Sequence, residues 1–166
     1  MARAEQPFTD AGPERLQAYI TSQSIDAEII APGTDTPTVP AAAEALGVRP
    51  EQIVKTLVFH GRSGDSVLAI VRGIAKVDRR KLSRVAGLRK PRLAPPDLVH
   101  RLTGFKAGGT PPIGHRESLT VYMDHSVFDE PVVYGGGGEI DALLRIAPHT
   151  IQKLTDAVVV DISEDE

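Results

Sequence analysis

The sequence predicts a single α+β domain, with a mixed or largely antiparallel β-sheet flanked by helices. Three observations carry that expectation. The chain has 166 residues, the length of one domain. Apolar residues make up 41% and charged residues 25%, ordinary values for a chain that buries its own core. Strand-like and helix-like segments are interspersed without the regular alternation of a parallel α/β fold, and two adjacent strand-like segments have hairpin spacing.

The elements follow in order. Residues 1–12 are polar and acidic and read as a flexible segment ahead of a domain covering 13–162. They lack a basic start followed by an apolar run, so a signal peptide is not expected. Pro13 suits the first turn of a helix, which 14–22 continue with Leu16, Tyr19 and Ile20 at helical spacing. Segment 27–31 reads as a short strand, followed by a loop containing Pro32, Gly33, Asp35 and Pro37. Thr38 is placed to cap an alanine-rich helix through 41–46, and Gly47 to stop it. Residues 50–52 add one further turn.

Segments 54–60 and 66–72 are rich in β-branched and apolar residues and flank Gly61-Arg62-Ser63-Gly64-Asp65, which predicts a hairpin. Asp78 caps a helix that ends at Gly87, and 96–102 form another short one. Residues 105–116 read as a glycine- and proline-rich loop. Strands are expected at 119–124 and 131–134, then a four-glycine turn at 135–138. A strand at 142–146, a helix at 148–154 and a last strand at 157–162 complete the domain. The tail, 163–166, is expected to fray.

Charge is distributed unevenly. The net charge is −3, which argues against a general nucleic-acid binder. Yet residues 72–106 hold eleven Lys/Arg and two acids, a local balance of +9, which leaves −12 for the remainder. Such a chain can offer a polyanion one basic face, or simply solvate its helices with those charges. There is no cysteine, which excludes disulfides, thiolate metal sites and a cysteine nucleophile, and fits a reducing cytoplasm. No apolar run approaches the ~20 residues of a membrane helix.

Three features are candidates for chemistry. Lys55 lies within the apolar run 53–59, and strict alternation puts it on one face with Ile53, Leu57 and Phe59. A lysine there either snorkels to solvent or meets an anion in a cleft. The run Gly108-Gly109-Thr110-Pro111-Pro112-Ile113-Gly114 joins backbone freedom to proline stiffness. It can present N–H groups to an oxyanion or phosphate, although glycine-proline turns are common. Residues Tyr134 to Gly138 lack the ending of a phosphate-binding P-loop, and a flexible hairpin turn explains them as well. The five histidines show no metal-ligand spacing, and only His115 adjoins a candidate loop. No Gly-x-Ser-x-Gly nucleophile motif occurs.

Taken together, Ala41-Ala-Ala-Glu-Ala-Leu-Gly47-Val, Ile53-Val-Lys55-Thr56-Leu-Val and Gly108-Gly-Thr-Pro-Pro112-Ile-Gly114, in this order, resemble the YbaK/ProX family of aminoacyl-tRNA deacylases. That family is similar to the editing insertion domain of bacterial prolyl-tRNA synthetase. The resemblance implies an α+β editing fold and hydrolysis of the ester joining a wrong amino acid to the terminal ribose of tRNA, of the Cys-tRNA(Pro) type or for a related small amino acid. It implies catalytic positions at Lys55, Gly108, Gly109, Thr110 and Pro112, with substrate contacts from Thr56, Gly114, Tyr134, Gly136 and Asp141. In this family the ribose hydroxyl of the tRNA assists attack by water, so neither a nucleophilic side chain nor a cofactor or metal is needed. The basic segment then has a partner in the tRNA acceptor stem through Arg79, Arg80 and Lys81, and prolyl-tRNA synthetase is a further candidate partner. Family members specific for cysteinyl-tRNA often carry a serine and an aspartate around the turn that spans 134–141. Tyr134 stands near the serine position here, which leaves the amino-acid specificity open. It also keeps two other readings in play: an inactive tRNA-binding or regulatory module of the same fold, and a small phosphate-binding protein.

Overall fold

The computed structural model describes residues 12–33, 36 and 38–165. The expected flexible segment lies, up to residue 11, outside the described residues. In chain order the elements are α1 (Gly12–Ser22), β1 (Ala27–Ile30), α2 (Val39–Leu46), β2 (Val54–His60), β3 (Ser66–Arg72), α3 (Arg79–Ala86), β4 (Arg92–Leu93), α4 (Pro96–Thr103), β5 (Val121–Asp124), β6 (Val133–Gly136), β7 (Leu143–Ile146), α5 (Pro148–Thr155) and β8 (Val158–Val160). Single 3-10 turns occupy Pro50–Gln52 and His125–Asp129. No helix is long and apolar enough to cross a membrane.

The local signals explain most of these boundaries. Thr38 accepts a hydrogen bond from the Ala41 N–H at 3.2 Å, and Gly47 closes α2 in the left-handed region at φ 70°. Asp78 caps α3 by accepting from the N–H groups of Arg80 and Lys81 at 3.0 and 3.1 Å. The predicted hairpin pairs β2 with β3 from Val54–Arg72 to His60–Ser66.

The strands form two sheets. One is antiparallel, in the order β1-β7-β6; the other is mixed, in the order β4-β2-β3-β5-β8. β3 is buried on both faces, and its side chains alternate between two cores. Leu68 and Ile70 join the main cluster with Leu16, Val54, Val58, Phe105 and Met123. Val67, Ala69 and Val71 point the other way, to Phe59, Leu82 of α3 and Ile162. An isolated parallel bridge between Ile53 and Tyr134 ties the second sheet to β6 of the first.

Several expectations change. The glycine run is not simply a turn: Gly135 and Gly136 belong to β6 and pair with Leu144 and Leu143. The pair Arg92–Leu93 had no sequence signal, yet it adds to the β2 edge opposite Phe59 and His60. The tail through residue 165 is held in place. The Glu164 N–H donates to the Lys76 carbonyl at 2.8 Å, and Ser163 bridges to Val77.

Candidate active site

The pocket lies where the two sheets meet, along the first half of β2. Near its end, β2 is covered by β4, and the Val58 carbonyl accepts from the Ala94 N–H at 2.9 Å. At its start it meets Tyr134 beside Ile53. Strand alternation puts the peptide groups of Thr56 on the same edge as those of Val58, and no strand covers them there among the described residues. This open stretch forms one wall of a cavity of about 250 Å³ that gathers Lys55, Thr56, Gly108, Thr110 and Gly136 from distant parts of the chain. Val39, Ala42, Ile53, Ile140 and Leu143 supply apolar lining.

Lys55 is half-buried and makes no ion pair or hydrogen bond among the described residues. Burial, and then the positive charge of Lys76, hold its ammonium below the usual lysine range. The neighbouring Thr56 hydroxyl is buried without a hydrogen-bond partner among the described residues. An unpaired, half-buried ammonium lining a cavity is costly, and an anionic or polar ligand relieves it; the Thr56 hydroxyl has almost no accessible surface and does not face the cavity.

The facing loop is built by close backbone contact. Gly108 has φ 90°, a conformation that favours glycine. The Gly109 N–H donates to the Lys106 carbonyl at 3.1 Å, and the Gly109 carbonyl accepts from the Gly138 N–H at 2.8 Å. A Cβ at Gly109 would lie 2.9 Å from the Glu139 nitrogen, and one at Gly135 would lie 3.2 Å from Cδ of Pro112. A Cβ on Gly136 would collide with the Thr110 carbonyl. The glycines therefore let the loop and β6 interlock. A Lys106–Glu139 ion pair at 3.0 Å crosses the same seam. Thr110 spends its hydroxyl on the Lys106 carbonyl at 3.1 Å. Among the described residues, the N–H groups of Gly108 and Thr110 have no acceptor.

The sequence-predicted residues thus fall into groups. Lys55, Thr56, Gly108, Thr110 and Gly136 line the pocket. Gly109 and Pro112 stand behind it as packing supports, and Tyr134 packs with Ala42, Ala43, Ile53 and Leu143. Gly114 lies elsewhere, at a separate recess of about 180 Å³ with Tyr19 and His115. Asp141 is exposed and does not line the pocket. Thr36, Thr38, Glu139 and Ile140 do line it; the sequence marked Thr38 only as a helix cap and the other three not at all, because their proximity depends on the Thr36–Ile140 contact across the fold.

His115 donates its Nε2–H to the Pro111 carbonyl at 2.7 Å, which fixes the Nε2–H tautomer. Burial brings its pKa down to about 4, against the opposing effect of that hydrogen bond, so the imidazole is neutral near pH 7. Lys81 is not available to a ligand: its ammonium meets Asp161 at 3.1 Å, Asp165 at 3.0 Å and the Ser163 carbonyl at 2.8 Å. Asp124, His125 and Asp161 bring ligand atoms within 4.8 Å of one another. The Asp124 carboxylate is already committed to the N–H groups of Ser126, Ile162 and Ser163, and Asp161 to Lys81, so this cluster reads as structural.

Residues 34–154 match the family model described as the aminoacyl-tRNA editing domain. The chain is 35% identical to a solved structure described as "a putative trans-editing enzyme for prolyl tRNA synthetase", with a TM-score of 0.86 over 94% of this chain and 99% of the other. It is 27% identical over 126 residues to "Putative Cys-tRNA(Pro)/Cys-tRNA(Cys) deacylase EbsC" of Enterococcus faecalis, covering 76% of this chain and 77% of that protein. A proline–tRNA ligase of Thermoanaerobacter sp. is 28% identical over 122 residues, 70% of this chain but 21% of the ligase. With its mixed and antiparallel sheets, its pocket at their junction and a match across most of its length, the chain belongs to the aminoacyl-tRNA editing domain family, the YbaK-like group related to prolyl-tRNA synthetases.

Proposed function

We propose that this protein is a trans-acting hydrolase that removes a small, wrongly attached amino acid from tRNA in the cytoplasm. The observation that carries this reading is the pairing, across one small cavity, of an unpartnered Lys55 ammonium with a glycine loop whose Gly108 and Thr110 N–H groups lack acceptors. Lys55 supplies a cation for a terminal phosphate or for orienting the ester. The loop N–H groups are suited to the charge that develops on the carbonyl oxygen as water attacks. Attack forms a C–O bond to water; collapse breaks the bond to the ribose oxygen, which takes a proton as the free amino acid leaves. The cavity, about 250 Å³ and partly apolar, is below the ~300–1,000 Å³ of most ligand sites. That favours a side chain of cysteine or alanine size over a large one, in keeping with the Cys-tRNA specificity named for the Enterococcus relative.

The deciding experiment offers purified protein a panel of mischarged tRNAs and follows release of the amino acid. Turnover of small amino acids with aromatic ones spared supports the proposal. Tight tRNA binding with no turnover of any member of the panel would instead establish an inactive binding module.

A further inference from the structure

Outside the pocket, α3 and β4 border an open groove of about 560 Å³ whose walls include Arg79, Arg80, Arg84, Lys90 and Arg92. A second recess of about 490 Å³ starts at the same Lys90 and Arg92 and continues to Arg62 at the β2–β3 turn. Among the described residues, no acidic side chain lines either one. These six cations are exposed, and among the described residues none of them makes an ion pair. Lys81, on the same helix, shows the contrast, since it is neutralised by Asp161 and Asp165.

Two further observations show that the cations are arranged rather than scattered. The Arg79 guanidinium lies 6.0 Å from the centroid of the Phe59 ring, which limits where its fork can point. Lys90 takes a left-handed backbone at φ 49°, costly for a residue other than glycine, at the position where the two recesses meet. Like charges gathered this way repel unless a polyanion neutralises them.

β2 relates this surface to the pocket. Lys55 lines the pocket, and His60, five residues along the same strand, lines the second recess. At the rise of a β-strand that is roughly 17 Å. The basic surface is therefore too far away to hold the terminal ribose, and at the right distance for phosphates several nucleotides upstream.

We propose that the two recesses form one continuous track for the phosphodiester backbone of the tRNA acceptor arm, with Lys90 and Arg92 at its crossing point. The choice of tRNA rests on the deacylase reading above. Arginine forks match phosphate oxygens two at a time, and such contacts fix orientation without reading sequence. The track replaces the contact set expected from sequence: Arg79 and Arg80 remain, Lys81 drops out, and Arg84, Lys90, Arg92 and Arg62 enter.

The test uses the full chain and an uncharged RNA hairpin bearing an acceptor stem and a 3′ CCA end, with Kd measured by anisotropy over a series of salt concentrations. Each lost phosphate contact costs about fivefold in affinity at ~0.15 M salt and lowers the log–log slope by about 0.9. Lys90→Ala with Arg92→Ala is therefore expected to raise Kd about twenty-fivefold and flatten the slope by about 1.8. Lys153→Ala, an exposed cation on α5, serves as the control and is expected to leave both unchanged. Thermal melting establishes that the double variant is folded, and should it not be, the single Lys90→Gln and Arg92→Gln variants replace it. A folded variant with Kd within twofold of the parent and an unchanged slope overturns the track. Because the hairpin carries no amino acid, the result is independent of hydrolysis. A protein that binds through the track and hydrolyses nothing removes the deacylase reading alone. One that hydrolyses but binds the hairpin indifferently to Lys90 and Arg92 removes the track alone.

Discussion

At the scale of single residues, Lys55 is the position where function and stability pull apart. Its pKa is lowered in the folded state, by burial first and Lys76 second. The folded protein thus binds this proton less readily than the unfolded chain does. The resulting destabilisation is fully present below the folded pKa and disappears as pH rises past the ordinary lysine value of 10.5. Lys55→Met is accordingly expected to melt no lower than the parent at pH 7, and higher if the methionine packs well. Its kcat/KM should fall by about 10- to 150-fold, the worth of a charge-assisted contact of ~1.5–3 kcal/mol. Parallel melting and single-turnover measurements check both halves. His115 behaves differently. With a folded pKa near 4 against an ordinary 6.5, it contributes stability that is complete above pH 6.5 and is lost as pH falls toward 4. His115→Gln should flatten the acid limb of a stability–pH profile over that window, and kcat at pH 7 should stay within about twofold, since the imidazole lies outside the pocket.

At the scale of elements, the seam between the loop 105–116 and β6 decides the geometry of the site. Gly136 has no room for a Cβ beside the Thr110 carbonyl, so Gly136→Ala must push the loop away from β2. Displacing one N–H donor from a developing oxyanion costs about 100-fold or more in kcat, and that is the expected loss. Thr110→Val keeps the shape and gives up only the bond to the Lys106 carbonyl, so its rate should stay within roughly tenfold. Stopped assays on both variants distinguish a backbone mechanism from one that needs the threonine hydroxyl; a dead Thr110→Val beside an active Gly136→Ala would reverse the assignment. The loop, its glycines and the lysine strand were all legible in the sequence, because local backbone freedom and an out-of-place charge are local properties. The interlocking of Gly109, Gly135 and Gly136 was not, since it depends on which segment lies opposite.

At the scale of the whole molecule, the C-terminal tail closes the second sheet's outer core. Ile162 is fully buried beside Leu82 and Val77, Glu164 bonds to Lys76, and Lys81 holds Asp161 and Asp165. Removing residues 163–166 takes away the backbone bridge to Val77 and one of the two carboxylates on Lys81. The melting temperature is expected to fall while kcat in the distant pocket is retained, which calorimetry and a deacylation assay on the truncated chain would establish. The tail's order had no sequence signal because polar terminal residues look alike whether or not a lysine 84 positions away meets them.

The sequence by itself determined the α+β class, the β2–β3 hairpin, the caps of α2 and α3, and a shortlist containing Lys55, Thr56, Gly108, Thr110 and Gly136. The class, the hairpin, the caps, Lys55 and the glycine loop rest on interactions within a few residues of chain, namely periodicity, capping hydrogen bonds and turn conformations, whereas Thr56 and Gly136 entered through the family resemblance. Tertiary structure alone decided that those five share one cavity while Gly114 and Asp141 do not. It also decided that Lys81 is spent on acids, and that Lys90 and Arg92 join two basic recesses into one surface. Those outcomes depend on pairings between residues far apart in sequence, such as Ile53 with Tyr134, which no local pattern encodes.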